Sequence, residues 1–447
     1  LLSHPIRQTA LWAGVLLLSW LLAACGDSRE SADGNRQTLP EAGKNNSAAG
    51  EPVTLALYNH NAGIVSQKDL EDVFVKPVSA KYPNISFELV QGSKLQDLIA
   101  AGEVPDLIAS SNYYMNELLQ LGVVGDLNGL VKKHHTDLSP IEPGTFAVLQ
   151  SFEPNGELYA VPYAMNYGVM AYNKDIFDKF AAPYPTDNMT WSQVIELARK
   201  VTREENGTQY IGLDPGSPST LTRAYSLATV DRAQEKAVLA SEPYQKIFGL
   251  LRQVYEIPGI VGKDKKYSYG IDFFLKDQKL AMYPYWIANL TSRLPQLKEL
   301  GKEFDWDVVS YPSFDDKPGL GREFDFHLLI IPPTSKHKEA AFQVIETLIS
   351  EEAQKNMNRG TRLTVLTDPQ LKKEFTADLN YYQGKNLQGI FKVKPSPTPI
   401  STVYDKELYS LLSGALKNMI TKNQDANTAL REANEQADQY IREVKAQ

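Results

Sequence analysis

Two hydrophobic periods alternate along residues 53–109. Val53-Thr54-Leu55-Ala56-Leu57 places apolar side chains on alternate positions and predicts a strand, while Leu70, Val73, Phe74 and Val78 recur at helical spacing. Ile85, Phe87 and Leu89 alternate with Ser86 and Glu88 as a second strand, Leu95, Leu98 and Ile99 mark a second helix, and Pro105-Asp106-Leu107-Ile108-Ala109 predicts a third strand. Strands separated by helices are the pattern of an α/β domain on a largely parallel sheet, because parallel neighbours need a long crossover. Ligands in such sheets gather at the carboxyl ends of the strands. Tyr58-Asn59-His60 and Ser110-Ser111-Asn112-Tyr113 are therefore candidate site loops.

The pattern continues to the end of the chain. Thr190-Trp191-Ser192-Gln193 has capping-box spacing, and Trp191, Val194, Ala198 and Val201 share one helical face, which assigns Trp191 to the core. Trp306, alternating with Asp305 and Asp307, reads as a core residue of a strand. Residues 339–357 predict one long helix with Val344, Ile345, Leu348 and Ile349 inward, and Leu430, Ala433, Ala437, Ile441 and Val444 form the stripe of a terminal helix packed on its own domain.

Ahead of the first strand the pattern breaks. Ala10 to Ala24 is almost wholly apolar, follows Arg7 and ends in small residues, as a secretory signal peptide does; it falls short of the roughly 20 apolar residues of a membrane span. Leu22-Ala23-Ala24-Cys25 resembles the lipobox of bacterial lipoproteins, which implies cleavage before Cys25 and lipidation of its thiol. The segment 26–51 mixes Gly, Ser and charges of both signs without an aromatic residue. It cannot bury enough surface to offset its ordering entropy, and reads as a tether spanning on the order of 30 Å.

Composition narrows the function. A net charge of −8 argues against a nucleic-acid partner, whose phosphates call for a basic face. Cys25 is the single cysteine, so the exported body has no internal disulfide and rests on its core. No Gly-x-Ser-x-Gly elbow, phosphate-cradling loop or His-Glu-x-x-His motif occurs, which leaves no sequence ground for a catalytic residue, a cofactor or a metal. His134-His135 reads as a solvated pair, since adjacent residues do not share a helix face.

Several phrases together, in order, resemble the solute-binding lipoproteins of bacterial ABC importers, the family that includes maltose-binding protein. They are Lys81-Tyr82-Pro83-Asn84-Ile85, Gly102-Glu103-Val104-Pro105-Asp106-Leu107, Gly156-Glu157-Leu158-Tyr159-Ala160-Val161-Pro162-Tyr163, Tyr172-Asn173-Lys174-Asp175-Ile176-Phe177, Met189-Thr190-Trp191-Ser192, Leu280-Ala281-Met282 with Trp286, Asp305-Trp306-Asp307-Val308 and Ser335-Lys336-His337-Lys338-Glu339-Ala340-Ala341. The match runs through nearly all of residues 52–447. The resemblance implies the two-lobed, class II periplasmic-binding-protein fold, α/β in both lobes, with a hinge of crossing strands and a ligand cleft between the lobes. Mapped onto this chain, 1–24 is the signal peptide, 25–51 the lipidated cysteine and tether, 52–163 plus 327–362 lobe one, and 164–326 plus 363–447 lobe two. It further implies a monomer anchored outside the bacterial membrane through Cys25, which captures a carbohydrate, an oligosaccharide in the first instance, and delivers it to an ABC permease. A secreted glycoside-active enzyme and a ligand-sensing partner of a membrane sensor are the alternative readings.

A sugar needs donors and acceptors for its hydroxyls and aromatic faces for its rings. The position of Trp286 resembles that of the family's sugar-stacking tryptophan; Tyr285 lies beside it, and Pro284 predicts that the strand Leu280 to Tyr283 ends there. Asn166 and Tyr167 follow the first expected crossing, Asp325 and His327 flank the second, and Arg362 lies at the third. With Tyr58, His60, Ser110 and Tyr113 from the strand ends, these are the candidate ligand contacts. Phe324-Asp325-Phe326-His327 and Tyr58-Asn59-His60-Asn61 depart from the family's usual composition, so its typical sugars do not carry over directly.

Overall fold

A computed structural model describes residues 37–38, 50–64, 66–152 and 155–446; the predicted signal segment, Cys25 and most of the tether lie outside them. Val53–Asn59 pairs in parallel with Ile85–Val90 on one side and Leu107–Ser111 on the other. Alternation sets the buried side: Leu55 and Leu57, with Ile85, Phe87 and Leu89, turn into the core. Phe326–Ile330 then adds antiparallel to Leu107–Ser111, and Val161–Met165 closes that side of the sheet. Gln37–Thr38, inside the predicted tether, pairs antiparallel with Ile85–Val90 at the opposite edge.

The third strand begins two residues later than the pattern predicts. Pro105 has no N–H to give a ladder, and the Asp106 carboxylate accepts from Ala56 N (3.2 Å) and Ser335 Oγ (2.7 Å). The helix through Leu70 and Val78 is likewise interrupted by a wider turn at Glu71–Val75, which still buries Val73 and Phe74.

A second sheet centres on Gly168–Asn173, buried along its whole length between antiparallel Leu280–Trp286 and Trp306–Ser310. Thr208–Leu213 runs parallel to Leu280–Trp286, and Arg203–Glu205 forms the edge. Trp191 and Trp306 are buried in this core, as their periodicity predicts. Pro284 does not end its strand. The pairs Tyr283↔Ala171 and Tyr285↔Val169 hold on both sides of it, so one absent donor is outweighed by the flanking ladder.

The chain passes from the first sheet to the second between Met165 and Gly168; after Ser310 it runs through Leu320–Glu323, paired in parallel with Lys394–Ser396, and re-enters the first sheet at Phe326. Residues 363–367 stay beside the first sheet, with Leu363 bridging Met165 and Leu366 bridging Ile141; the chain reaches the second sheet by Tyr381, stacked on Trp306. The predicted long helix over 339–357 is two helices, Lys338–Leu348 and Glu351–Arg359, because Ser350 caps the second by accepting from Ala353 N. The terminal helix Ala426–Lys445 is capped by Asp425 and buries Leu430, Ala433, Ala437 and Ile441. His134 is no solvated loop residue: it ends the helix Asn128–His134 with its ring nitrogens 2.8 Å from Glu339 and 3.2 Å from Glu346.

Candidate functional site

Where the two sheets meet, strand ends and crossings enclose a cavity of about 570 Å³. The first sheet contributes Asn59, Ser111 and His327 together with Asn61 and Gly63 from the loop after its first strand; the second contributes Tyr285 and Trp286 with Asn289 and Arg293 on the helix Ile287–Glu299 that follows. Ser217, the N-cap of the helix Pro218–Ala224, adds hydroxyls with Ser219 and Thr220. Arg322 and Glu323, before the second crossing, supply charge.

Asn166 ties the crossings together. Its Nδ2 donates to Asp325 Oδ2 at 2.8 Å, its Oδ1 accepts from Ala288 N at 3.1 Å, and its own N–H donates to Asp325 O. Asn112 pins the second crossing from the other side, donating to Phe324 O and accepting from Phe326 N. Asp325 is therefore a buried carboxyl on a hydrogen-bonded hinge. Burial pushes it up to about 7, against the opposing hydrogen bond from Asn166.

His327 is buried and pushed down to about 3, first by desolvation and then by the positive charge of Arg362, so it is a neutral imidazole at ordinary pH. Gly63 is the residue that makes room for this pair. Its φ is +70°, and a Cβ there would stand 2.8 Å from Arg362 Nη1 and 3.2 Å from His327 Cε1. Arg362 donates to Gly63 O and lies 3.5 Å from Asp69, beneath the cavity wall rather than on it.

The charged side of the cavity is built around Glu323. Arg223 Nε donates to its Oε1 at 3.0 Å, with both side chains buried. The Arg223 guanidinium lies over the Tyr113 ring at 4.8 Å, and that of Arg322 over the Trp286 ring at 3.7 Å. Gly168 permits the second contact, since a Cβ there would fall 2.5 Å from Arg322 Cβ.

Of the residues predicted from sequence, Tyr113, Asn166, Tyr285, Trp286, Asp325 and His327 line this one cavity. Tyr58, His60, Ser110 and Tyr167 do not. Successive strand residues face opposite ways, so Asn59 and Ser111 turn into the cavity while Tyr58 and Ser110 turn away; Asn61, past the strand end at φ +59°, lines both this cavity and the one beside Tyr58 and His60. The Tyr58 hydroxyl donates to Ser93 O, and His60 Nδ1 is 3.0 Å from Ser110 Oγ with its ring edge-on to Tyr114. Tyr58 and His60 face a separate cavity of about 560 Å³. Tyr167 packs against Phe391 beside a small crevice. Sequence reasoning missed Arg223, Arg293, Arg322, Glu323 and the 217–220 turn. The last was within reach of the strand-end rule, because it follows Thr208–Leu213. Among the described residues no cluster of three or more His, Cys, Asp or Glu side chains could hold a metal, and no helix is long and apolar enough to cross a membrane.

The family model described as bacterial extracellular solute-binding protein matches residues 67–355. Solved structures share the fold at low identity. An ABC substrate-binding protein from Listeria monocytogenes in complex with cycloalternan is 18% identical, with 88% of this chain and 99% of that one aligned at a TM-score of 0.68. The sugar-binding protein MalE from Xanthomonas citri is 16% identical over 88% and 98% of the chains, at 0.64. UgpB from Mycobacterium tuberculosis in complex with glycerophosphocholine is 16% identical over 89% and 100%, at 0.65.

Proposed function

We propose a function from one premise: the chain belongs to the bacterial extracellular solute-binding protein family. The protein captures an oligosaccharide between its two lobes and hands it to the membrane permease of an ABC importer, without chemistry on the ligand. The observation that carries this reading is the cavity itself. It draws on both sheets at the hinge, and it combines amide and hydroxyl side chains (Asn59, Ser111, Ser217, Thr220, Asn289) with the aromatic rings of Trp286, Tyr285 and Tyr113. Its volume falls within the roughly 300–1,000 Å³ of small-molecule sites. The neighbour described in complex with cycloalternan supports the same ligand class.

Hydrolysis is disfavoured by the state of the two cavity carboxyls. A glycosidase needs one free acid and one free base or nucleophile across the bond, whereas Glu323 is held in a buried ion pair and Asp325 is tied to Asn166. A thermal-shift screen against mono- and oligosaccharides tests the assignment, because a bound ligand stabilises by RT ln(1 + [L]/Kd). If no saccharide raises the melting temperature, the carbohydrate reading fails. Trp286→Ala is expected to weaken the saccharide found by about 1–3 kcal/mol with the fold kept, the scale of one lost aromatic contact. Normal calorimetric affinity in that variant would remove Trp286 from the site.

The reading extends to the cell surface, with the protein acting as a monomer. The Leu22-Ala23-Ala24-Cys25 motif supports a lipid on Cys25 and retention at the outer face of the membrane. Cys25→Ser is expected to move the protein from the membrane fraction to the soluble exported fraction. Failure of the wild type to incorporate labelled fatty acid would overturn the anchor.

A further inference from the structure

The geometry points to a saccharide bearing an anionic group as the ligand of the cleft, met by the guanidinium of Arg322 with Arg293 and Arg223 on the same cavity. The inference deepens the carbohydrate reading above and rests on it. Three arginines line the cavity, and the carboxyl groups that line it are those of Glu323 and Asp325. Glu323 is shared. Its Oε1 takes the hydrogen bond from Arg223, and its Oε2 lies 3.5 Å from Arg322 Nε without a hydrogen bond forming. Arg293 has its nearest carboxylate, Asp272, at 3.8 Å, outside hydrogen-bond reach. Asp325 is turned toward Asn166 on the hinge.

Arg322 carries the argument. Its side chain is 9% exposed, yet its Nε has no hydrogen-bond partner among the described residues. Glu323 Oε2 at 3.5 Å is its countercharge, but Arg223 shares that carboxylate, so two guanidinium groups divide one negative charge and an anion on the cavity side would complete the second pair. The face of Trp286 at 3.7 Å fixes the plane of the guanidinium but accepts no hydrogen bond at its edge. Gly168 leaves the space in which the stem of Arg322 lies, so the fork is already positioned before ligand arrives. A planar, placed guanidinium is matched by a carboxylate, sulfate or phosphate, which it can grip through two parallel hydrogen bonds; a neutral hydroxyl accepts but does not neutralise.

The test uses the purified full chain and calorimetry with matched oligosaccharides: uronic-acid oligomers from galacturonan, alginate, glucuronoxylan and hyaluronan, the same preparations after carboxyl reduction, and sulfated, phosphorylated and neutral oligosaccharides of similar length. The expected result is that an acidic oligosaccharide binds at least tenfold more tightly than its neutral counterpart, and that the preference shrinks as sodium chloride is raised. Binding by uronates, sulfates or phosphates identifies which anion the arginines take. Arg322→Gln is expected to erase the preference, and Arg322→Lys to restore part of it. If Arg322→Gln does not fold, Arg293→Gln on the more exposed helix is expected to reduce the preference severalfold. Equal or tighter binding of the neutral members overturns the inference and leaves the carbohydrate reading standing. Absence of binding by every member, acidic and neutral, overturns both.

Discussion

Replacing Glu323 with alanine is expected to destabilise the protein by about 3–5 kcal/mol, the cost of leaving a buried charge without its partner. Arg223 and Glu323 are 5% and 2% exposed at their side chains, and the 3.0 Å contact between them gives this buried guanidinium its countercharge. Removing the carboxylate strands Arg223 against the Tyr113 ring and the Tyr409 hydroxyl, neither of which carries a countercharge. It also removes the closest anion from Arg322. The double replacement Arg223→Met with Glu323→Leu should cost less than Glu323→Ala alone, because it takes away the stranded cation as well as the anion. Urea unfolding of the three proteins measures this through their midpoints at equal slope. A Glu323→Ala protein within about 1 kcal/mol of wild type would mean that solvent reaches the pair, since exposed pairs contribute on that scale.

The fold was legible where burial enforces a period. Leu55 and Leu57, Ile85 to Leu89, and the faces through Trp191 and Leu430 each match one sheet face or helix stripe, and their buried state follows. The two-lobed architecture came from ordered short phrases rather than from periodicity, and the family match agrees with it. The break at Ser350 was missed because a single hydroxyl cap leaves no trace in hydrophobic spacing. The candidate site was legible at the level of loops and illegible at the level of parity. Tyr58 and Asn59 are adjacent in sequence but face different cavities, a distinction set by the register against Ile85–Val90 and Leu107–Ser111. Arg322 was invisible for another reason. What marks it is the bare backbone of Gly168 beneath it and the ring of Trp286 beside it, and those residues come together only through the pairing Trp286↔Gly168 in the second sheet.

Asp325→Asn is expected to stabilise the protein relative to wild type by an amount that grows with pH, from nothing below pH 4 to on the order of 4 kcal/mol by pH 8. The carboxyl is pushed up from its ordinary 3.8 to about 7 by burial, with Asn166 and the guanidinium groups of Arg322 and Arg223 opposing the shift and Glu323 adding to it. Between those two values the unfolded chain has lost the proton that the folded chain keeps, so wild-type stability falls as pH rises and levels off above 7. His327 acts with the opposite sign. Held down at about 3, it leaves the folded state neutral while the unfolded histidine is protonated below about 6.5, so it adds stability as pH rises through that window. The two groups largely cancel in the wild type. An asparagine at 325 keeps an acceptor for Asn166 Nδ2 and removes one of the opposing contributions, so the variant should show the rise due to His327. Denaturant midpoints of both proteins from pH 4 to pH 8 give the difference directly. A difference that stays flat across that range would mean that Asp325 is ionised in the folded protein at every pH tested. The cavity would then hold a second full negative charge against its three arginines, which would lessen the electrostatic case for an anionic ligand.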